Sequence, residues 1–108
     1  MDILILKAEF VDAEEILAIQ KLAYQKEAAR YNNYSIPPLT QTLSELKEEC
    51  RLKLILKATF KNRIVGTVRA YEEKGTCKIG RLAVHPKAQN QGIGTALMQT
   101  IESIERTL

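Results

Sequence analysis

The spacing of hydrophobic residues along the chain predicts the order of its secondary-structure elements. Four stretches rich in branched aliphatic side chains predict strands: residues 3–10, 52–60, 64–71 and 77–84. Three stretches repeat apolar residues at intervals of three and four, which is typical of amphipathic helices: residues 13–30, 39–51 and 92–108. The predicted order is therefore β-α-α-β-β-β-α.

Turn and capping residues mark the boundaries of these elements. Asp12 is placed to cap the first helix, and residues 42–45 match a capping box at the start of the second. The polar turn at residues 61–63 is short enough to require an antiparallel hairpin, and residues 72–75 turn the chain again. The last three strands should therefore form a meander. The Asn pair and double proline in residues 31–38 predict a loop.

Composition and charge are typical of one globular domain in the cytoplasm. With 108 residues, 45% of them hydrophobic, residues 1–108 are interpreted as a single domain with one packed core. The net charge of +3 is spread along the chain, which is too mild to indicate nucleic-acid binding. No apolar run is long enough to span a membrane, and no signal peptide is recognisable. Cys50 and Cys77 lack metal-binding neighbours, so they predict reduced thiols and no metal site.

The segment from Ile79 to Leu97 contains the candidate ligand-binding residues. The strand end Leu82-Ala83-Val84 is followed by Gln89-Asn90-Gln91-Gly92-Ile93-Gly94-Thr95, where the last helix starts. Glycines allow a ligand to approach the backbone there, and the free amides and dipole of a helix start favour anions. The Rossmann GxGxxG pattern fails because Leu97 holds its third glycine position, and no P-loop motif is present. A Gly-x-Gly start also occurs in simple tight connections, but this context favours phosphate binding.

The spacing Gln89-x-x-Gly92-x-Gly94 resembles the Q/R-x-x-G-x-G/A signature of the Gcn5-related N-acetyltransferase (GNAT) superfamily, and the element order resembles that family over nearly the whole chain. The resemblance implies an α+β, three-layer fold with a mixed, mostly antiparallel sheet flanked by helices. The family's sheet continues into a fifth strand, whereas this sequence stops inside the preceding helix. The chain is therefore expected to be a C-terminally incomplete GNAT domain.

The resemblance also implies acetyl-CoA as the cosubstrate. The backbone of Leu82, Ala83 and Val84 would bind the pantetheine arm and the acetyl carbonyl. The turn that Gln89 opens would wrap the pyrophosphate with six residues: Asn90, Gln91, Gly92, Ile93, Gly94 and Thr95. The implied reaction is attack of a neutral amine on the thioester, with a backbone N–H near Leu82 stabilising the oxyanion.

The residues that would transfer protons remain open. Lys78 holds the position at which some family members carry a glutamate base, and the family's tyrosine acid comes from a helix beyond the end of this sequence. Glu72 and Glu73 are candidates for the base, or else exposed hairpin charges. Tyr31 and Tyr34 are candidates for contacts with the acceptor, or else ordinary loop residues.

Two functions are compatible with these observations. The first is an N-acetyltransferase that moves an acetyl group from acetyl-CoA to a primary amine of a small molecule or peptide. The second is a truncated, inactive fold that binds coenzyme A or serves as an interaction module. The exposed edge of the fourth strand would allow pairing with a second copy as a homodimer. Because half of the pantetheine gap would lie beyond this sequence, cofactor binding should survive better than catalysis.

Overall fold

A computed structural model describes residues 2–106 of the chain. The four strands are β1 (Leu4–Lys7), β2 (Leu54–Phe60), β3 (Arg63–Glu73) and β4 (Thr76–Val84). The helices are α1 (Ala13–Tyr31), α2 (Pro37–Thr40), α3 (Leu43–Leu52) and α4 (Ile93–Arg106). The last two residues of the predicted final helix, Thr107 and Leu108, lie outside the described residues.

The strands form one sheet in the order β1-β2-β3-β4, and each neighbouring pair is antiparallel. Two tight turns join the last three strands. Lys61 and Asn62 have φ values of 50° and 64°, and Lys74 and Gly75 have values of 52° and 76°. Turns with two successive positive φ angles match the right-handed twist of the strands they connect. The predicted meander is confirmed.

Helices cover both faces of the sheet. One core lies between the sheet and α1 with α3, and its buried members include Ile16, Ile19, Leu46, Ile55 and Ile64. A second core lies between the opposite face and α4, and its buried members include Leu56, Val68, Ile93, Leu97 and Ile101. Burial of each large aliphatic side chain contributes about 1.5–3 kcal/mol. The predicted α+β class with three layers is confirmed.

Local capping agrees with the sequence at α3. The Thr42 hydroxyl accepts a hydrogen bond from the backbone N–H of Glu45 at 3.1 Å, and the Glu45 carboxylate accepts one from the backbone N–H of Thr42 at 2.8 Å. These reciprocal bonds satisfy donors that a helix start otherwise leaves without a partner. The Glu45 pKa is lowered, first by its backbone hydrogen bond with Thr42.

Several local predictions were wrong. β1 ends at Lys7 instead of reaching residue 10, where a short 3-10 helix begins. The loop predicted over residues 31–38 gives way to α2 from Pro37. Leu39 does not belong to α3 but to the separate turn α2, which begins at Pro37 because proline fits the first turn of a helix. Asp12 makes no side-chain hydrogen bond that caps α1. Its carboxylate instead accepts a hydrogen bond from the backbone N–H of Glu9 at 2.7 Å and pairs with Lys57 of β2 at 2.8 Å. Asp12 therefore joins the start of α1 to the sheet.

Gly66, which has no side chain, sets the distance between α4 and the sheet. A Cβ atom added to Gly66 of β3 would lie 3.1 Å from the Ile93 Cγ2 atom, 3.1 Å from the Leu97 Cδ1 atom and 3.3 Å from the Ala83 carbonyl oxygen. These separations are shorter than ordinary carbon contacts. Gly66 thus lets the first turns of α4 lie directly on β3, beside the end of β4.

Candidate functional site

A cleft of about 460 Å³ lies where the end of β4 meets the start of α4, and α1 forms a further wall. Nine of the ten residues predicted to bind a cofactor line it: Leu82, Ala83, Val84, Gln89, Asn90, Gly92, Ile93, Gly94 and Thr95. Gln91 is exposed and does not line the cleft. The other lining residues are Ala23, Tyr24 and Glu27 of α1, with Ala88. The fold therefore brings the end of β4 and the glycine turn together. It adds a third segment, from α1, that was not predicted.

The turn before α4 is shaped by left-handed backbone. Asn90 has a φ of 66° and Gly92 a φ of 80°, a conformation that glycine adopts without steric cost and asparagine tolerates. A Cβ on Gly92 would meet no atom within 4 Å, and one on Gly94 would lie 3.6 Å from the Leu82 Cδ2 atom. The helix start therefore faces open space, with its first amides available to an anion.

The predicted Gln89 ties this turn to the strand. Its side-chain amide donates a hydrogen bond to the Val84 carbonyl oxygen at 3.3 Å. The carbonyl is at the last position of β4, and both residues line the cleft. Gln89 therefore contributes to the shape of the site by joining the turn to the strand end.

The end of β4 is bulged. Ala83 pairs with Thr67 and Gly80 pairs with Arg69, so Arg81 and Leu82 together stand opposite one residue of β3. Arg81 has a φ of 53°. A bulge leaves its extra residue without a ladder partner and redirects the strand. Leu82 faces the cleft, whereas the Arg81 guanidinium donates a hydrogen bond to the Gln41 side-chain oxygen at 3.1 Å.

Tyr24 joins α1 to this bulge. Its hydroxyl donates a hydrogen bond to the Leu82 carbonyl oxygen at 3.0 Å. Burial raises the pKa of the Tyr24 hydroxyl above its ordinary value, and the negative charge of Glu27 raises it further. The hydroxyl is therefore protonated at neutral pH and holds the strand end against the helix.

Beside the bulge lies a network of largely buried polar side chains. Arg69 of β3 is only 1% exposed. One of its terminal nitrogens donates to both carboxylate oxygens of Glu49, at 2.9 Å and 3.1 Å, and the other donates to the Gln20 side-chain oxygen at 2.6 Å. Gln20 donates to Gln41 at 3.0 Å, and Gln41 donates to Glu49. Together with Arg81, the network links α1, α3, β3 and β4.

Protonation in this network is set by burial and pairing. Burial lowers the pKa of the Arg69 guanidinium, and the Glu49 carboxylate opposes that effect. Burial raises the pKa of Glu49, but the hydrogen bond from Lys53, the charge of Arg69 and the hydrogen bond from Gln41 outweigh it. The pKa of Glu49 is therefore below its ordinary value. Arg69 and Glu49 thus form a charged pair.

The two acidic candidates for catalysis lie at another place. Glu72 and Glu73 end β3 at its turn into β4, whereas the cleft lies at the opposite end of β4. The Glu73 carboxylate is 3.4 Å from the Lys78 ammonium. Neither glutamate lines the cleft. The structure therefore does not bring either one to the residues predicted to bind the cofactor.

The two tyrosine candidates are separated as well. Tyr31 lines a second cavity of about 390 Å³ together with Glu27, Asn33, Ile36 and Pro38. Tyr34 lines a different cavity, against Lys21 and Leu39. Only the cavity with Tyr31 shares a lining residue, Glu27, with the cleft.

The spacing of polar residues along α1 gives a signal for the cleft residues that were not predicted. Gln20, Tyr24 and Glu27 follow Ile16 at intervals of four, four and three, so they continue the buried face of α1 with polar groups. Polar side chains on the apolar face of a helix need partners, and here those partners are Arg69 and the end of β4. Which residues serve as these partners depends on the fold.

Some site types have no candidate within the described part of the chain. Among residues 2–106, no three His, Cys, Asp or Glu side chains lie close enough together to hold a metal ion. No helix in that range combines the length and hydropathy needed to cross a membrane.

Solved structures of acetyltransferases share this fold. PaiA N-acetyltransferase from Thermoplasma acidophilum, solved with coenzyme A, matches with a TM-score of 0.84 and 19% identity, over 99% of this chain and 74% of that chain. A GNAT family acetyltransferase from Brucella melitensis, solved with acetyl-CoA, matches with a TM-score of 0.73 and 22% identity, over 98% and 70%. An aminoglycoside acetyltransferase from an uncultured soil metagenomic sample matches with a TM-score of 0.72 and 21% identity, over 99% and 74%. At these identities the likeness establishes the fold alone.

The sequence itself identifies the family. No curated protein sequence matches the chain. The profile of the acetyltransferase (GNAT) family, however, matches residues 13–107, which include the strand end, the glycine turn and α1. The resemblance first drawn from Gln89, Gly92 and Gly94 is confirmed, and the chain belongs to the acetyltransferase (GNAT) family.

Proposed function

We propose that this protein is an N-acetyltransferase that transfers an acetyl group from acetyl-CoA to a primary amine of a small molecule or peptide. The observation that carries the proposal is the cleft between the bulged end of β4 and the glycine-containing start of α4. Family membership supports the transferase chemistry. The structures with coenzyme A and with acetyl-CoA are neighbours in fold, which supports the choice of cosubstrate.

The residues of the cleft fit the two ends of such a cosubstrate. The turn at Asn90 and Gly92 and the first amides of α4 suit a pyrophosphate, because hydrogen bonds to charged groups contribute about 1.5–3 kcal/mol each. At the bulge, the interrupted ladder beside Leu82 suits an amide-containing arm and an acyl oxygen. The Leu82 carbonyl oxygen itself already accepts the hydrogen bond from Tyr24. Acetyl-CoA would supply the activated acetyl group as a thioester. Contact between the individual residues and the cosubstrate stays a prediction.

Binding is tested first, by thermal melts with acetyl-CoA. A ligand present at 100 times its Kd stabilises the folded state by about 2.7 kcal/mol, which raises the Tm of a domain of this size by roughly 10 °C. Gly94→Ala should reduce this shift, because its methyl group would enter the cleft beside Leu82 and Val84 at ordinary contact distances. Gly80→Ala is the matched control, since its Cβ meets no atom within 4 Å and lies outside the cleft.

Turnover is tested second, by release of free thiol with three amines: 2-phenylethylamine, spermidine and a lysine-containing peptide. Binding together with turnover supports the proposal. Binding without turnover of any amine would favour the alternative, an inactive fold that binds coenzyme A. An unchanged Tm at millimolar acetyl-CoA would refute the assignment of acetyl-CoA as the cosubstrate.

A further inference from the structure

We infer that the Glu27 carboxylate accepts the proton of the incoming ammonium group, and that this ammonium approaches through the cavity lined by Tyr31. The inference rests on the proposed N-acetyltransferase function and assigns the base that the sequence left open. It replaces Glu72 and Glu73, which lie at the other end of β4.

The position of Glu27 between two cavities is the first observation. It is the one residue, among those described, that lines both the cleft and the neighbouring cavity of about 390 Å³. The second cavity therefore adjoins the cleft at Glu27. The remaining walls of the second cavity are Tyr31, Asn33, Ile36 and Pro38. A primary ammonium on a largely apolar body suits this lining, because the carboxylate supplies the opposite charge.

The ionisable groups of the cleft give the second observation. Among the described residues that line it, only Tyr24 and Glu27 can gain or lose a proton. Tyr24 is not suited to be the base, because its pKa is raised by burial and it is already protonated at neutral pH. Glu27 forms no ion pair within residues 2–106, whereas Glu49 and Glu73 are each paired with a cation. Its carboxylate is therefore not held by a cation of the described residues.

The helix α1 fixes the position of Glu27, and no other charged residue lines either of the two cavities. The hydrogen bond between Tyr24 and the Leu82 carbonyl fixes α1 to the strand end, and Glu27 follows three residues later, about 4.5 Å further along the helix. Of the residues of α1 that line the two cavities, Tyr24 and Tyr31 are also ionisable. The exposed Arg30 lies three residues beyond Glu27 on the same helix. The strand β4, the turn, α4 and the loop before α2 contribute only uncharged residues to the two cavities. Arg81 acts on the pKa of Tyr24 from the opposite side of the bulge.

The proton and electron balance of this step is complete. An ammonium gives one proton to Glu27 and becomes a neutral amine. Its nitrogen forms the new C–N bond, while the C–S bond of the thioester breaks and the electron pair leaves with sulfur. The second proton lost from nitrogen protonates that sulfur, so the products are an acetamide and a free thiol. Glu27 is exposed and can release its proton to water.

The test compares the wild type with Glu27→Gln, Glu27→Asp and the control Glu14→Gln, which changes an exposed glutamate in the first turn of α1. The amine is whichever of 2-phenylethylamine, spermidine and the lysine peptide the wild type acetylates fastest. Loss of a general base costs about 10²–10⁴ in kcat. We expect that loss in Glu27→Gln, partial recovery in Glu27→Asp, and wild-type rates in the control. The variant rate should also rise with pH, as more amine is neutral in solution.

Binding measurements separate this inference from the proposed function. The Tm shift with acetyl-CoA should be equal in the wild type and Glu27→Gln. If that shift is retained and Glu27→Gln keeps kcat within about threefold of the wild type, the inference is wrong and the proposed function stands. A raised KM with an unchanged kcat would also overturn it, since Glu27 would then bind the ammonium without taking its proton. Absence of wild-type turnover with all three amines would overturn both.

Discussion

Replacement of Glu49 by glutamine should cost a large part of the stability of this protein. The change keeps the shape of the side chain but removes the negative charge that faces Arg69, whose side chain is only 2% exposed. Removal of one partner from a buried ion pair costs about 3–5 kcal/mol, because the other charge remains buried without compensation. Glu49 is 17% exposed, so water can relieve part of the loss and the lower end of this range, about 3 kcal/mol, applies.

The expected loss is easy to measure. A domain of this length has a total stability of about 5–15 kcal/mol, and about 3 kcal/mol corresponds to a fall in Tm of roughly 12 °C or more. Thermal and urea unfolding followed by circular dichroism would report it. Glu48→Gln is the matched control, because Glu48 is the preceding residue and pairs with Arg51 at 2.9 Å on the surface. That pair is exposed, so water screens it and its loss should change the stability little. Equal losses in the two variants would refute the reasoning.

The same pair predicts a dependence on pH. The pKa of Glu49 is lower in the folded protein than its ordinary value, so its stabilising contribution is present above the unfolded pKa. It is lost as pH falls through the lower, folded pKa. The Tm difference between the wild type and Glu49→Gln should therefore narrow as pH falls below the ordinary pKa of glutamate, about 4.3, since protonated glutamate resembles glutamine. A constant difference in Tm from pH 7 to pH 3 would contradict this assignment.

Three further changes test the packing around the cleft. Gly66→Ala should destabilise the protein by about 1–3 kcal/mol, since the new methyl group would press on α4 at 3.1 Å; an unchanged Tm would show that α4 can move. Tyr24→Phe removes the hydrogen bond to Leu82 and should lower the free energy of unfolding by about 0.5–1.5 kcal/mol in urea titrations; a value near zero would mean that water replaces the bond. Thr42→Ala removes the acceptor of the capping box and should cost about 1 kcal/mol, whereas Thr42→Ser should be close to neutral in the same titration.

Features determined by neighbouring residues were predictable from the sequence. The capping box at Thr42, the hairpin turns and the stripe of α4 each depend on a few consecutive positions. The strand end and glycine turn also predicted most of the cleft, because both segments lie within one stretch of chain. The same stretch gave the resemblance to the family, which the profile match over residues 13–107 confirmed.

Features that depend on distant pairing were not predictable. A charged residue inside a strand ordinarily indicates a solvent-facing position, yet Arg69 is buried because Glu49 and Gln20 arrive from two helices. The bulge at Arg81 depends on the register between β3 and β4. The roles of Tyr24 and Glu27 depend on where α1 lies against β4. No local pattern specifies these distances.

The helix α1 connects the buried network to the cleft as one stiff body. Gln20 lies in the network and Glu27 lies at the cleft, about 10 Å further along the same face. A change at Gln41 or Glu49 that moves the backbone of α1 at Gln20 would therefore also move Glu27, although neither residue lines the cleft. In directed evolution toward new acceptor amines, we expect useful substitutions in this interior network as well as in the cavity walls.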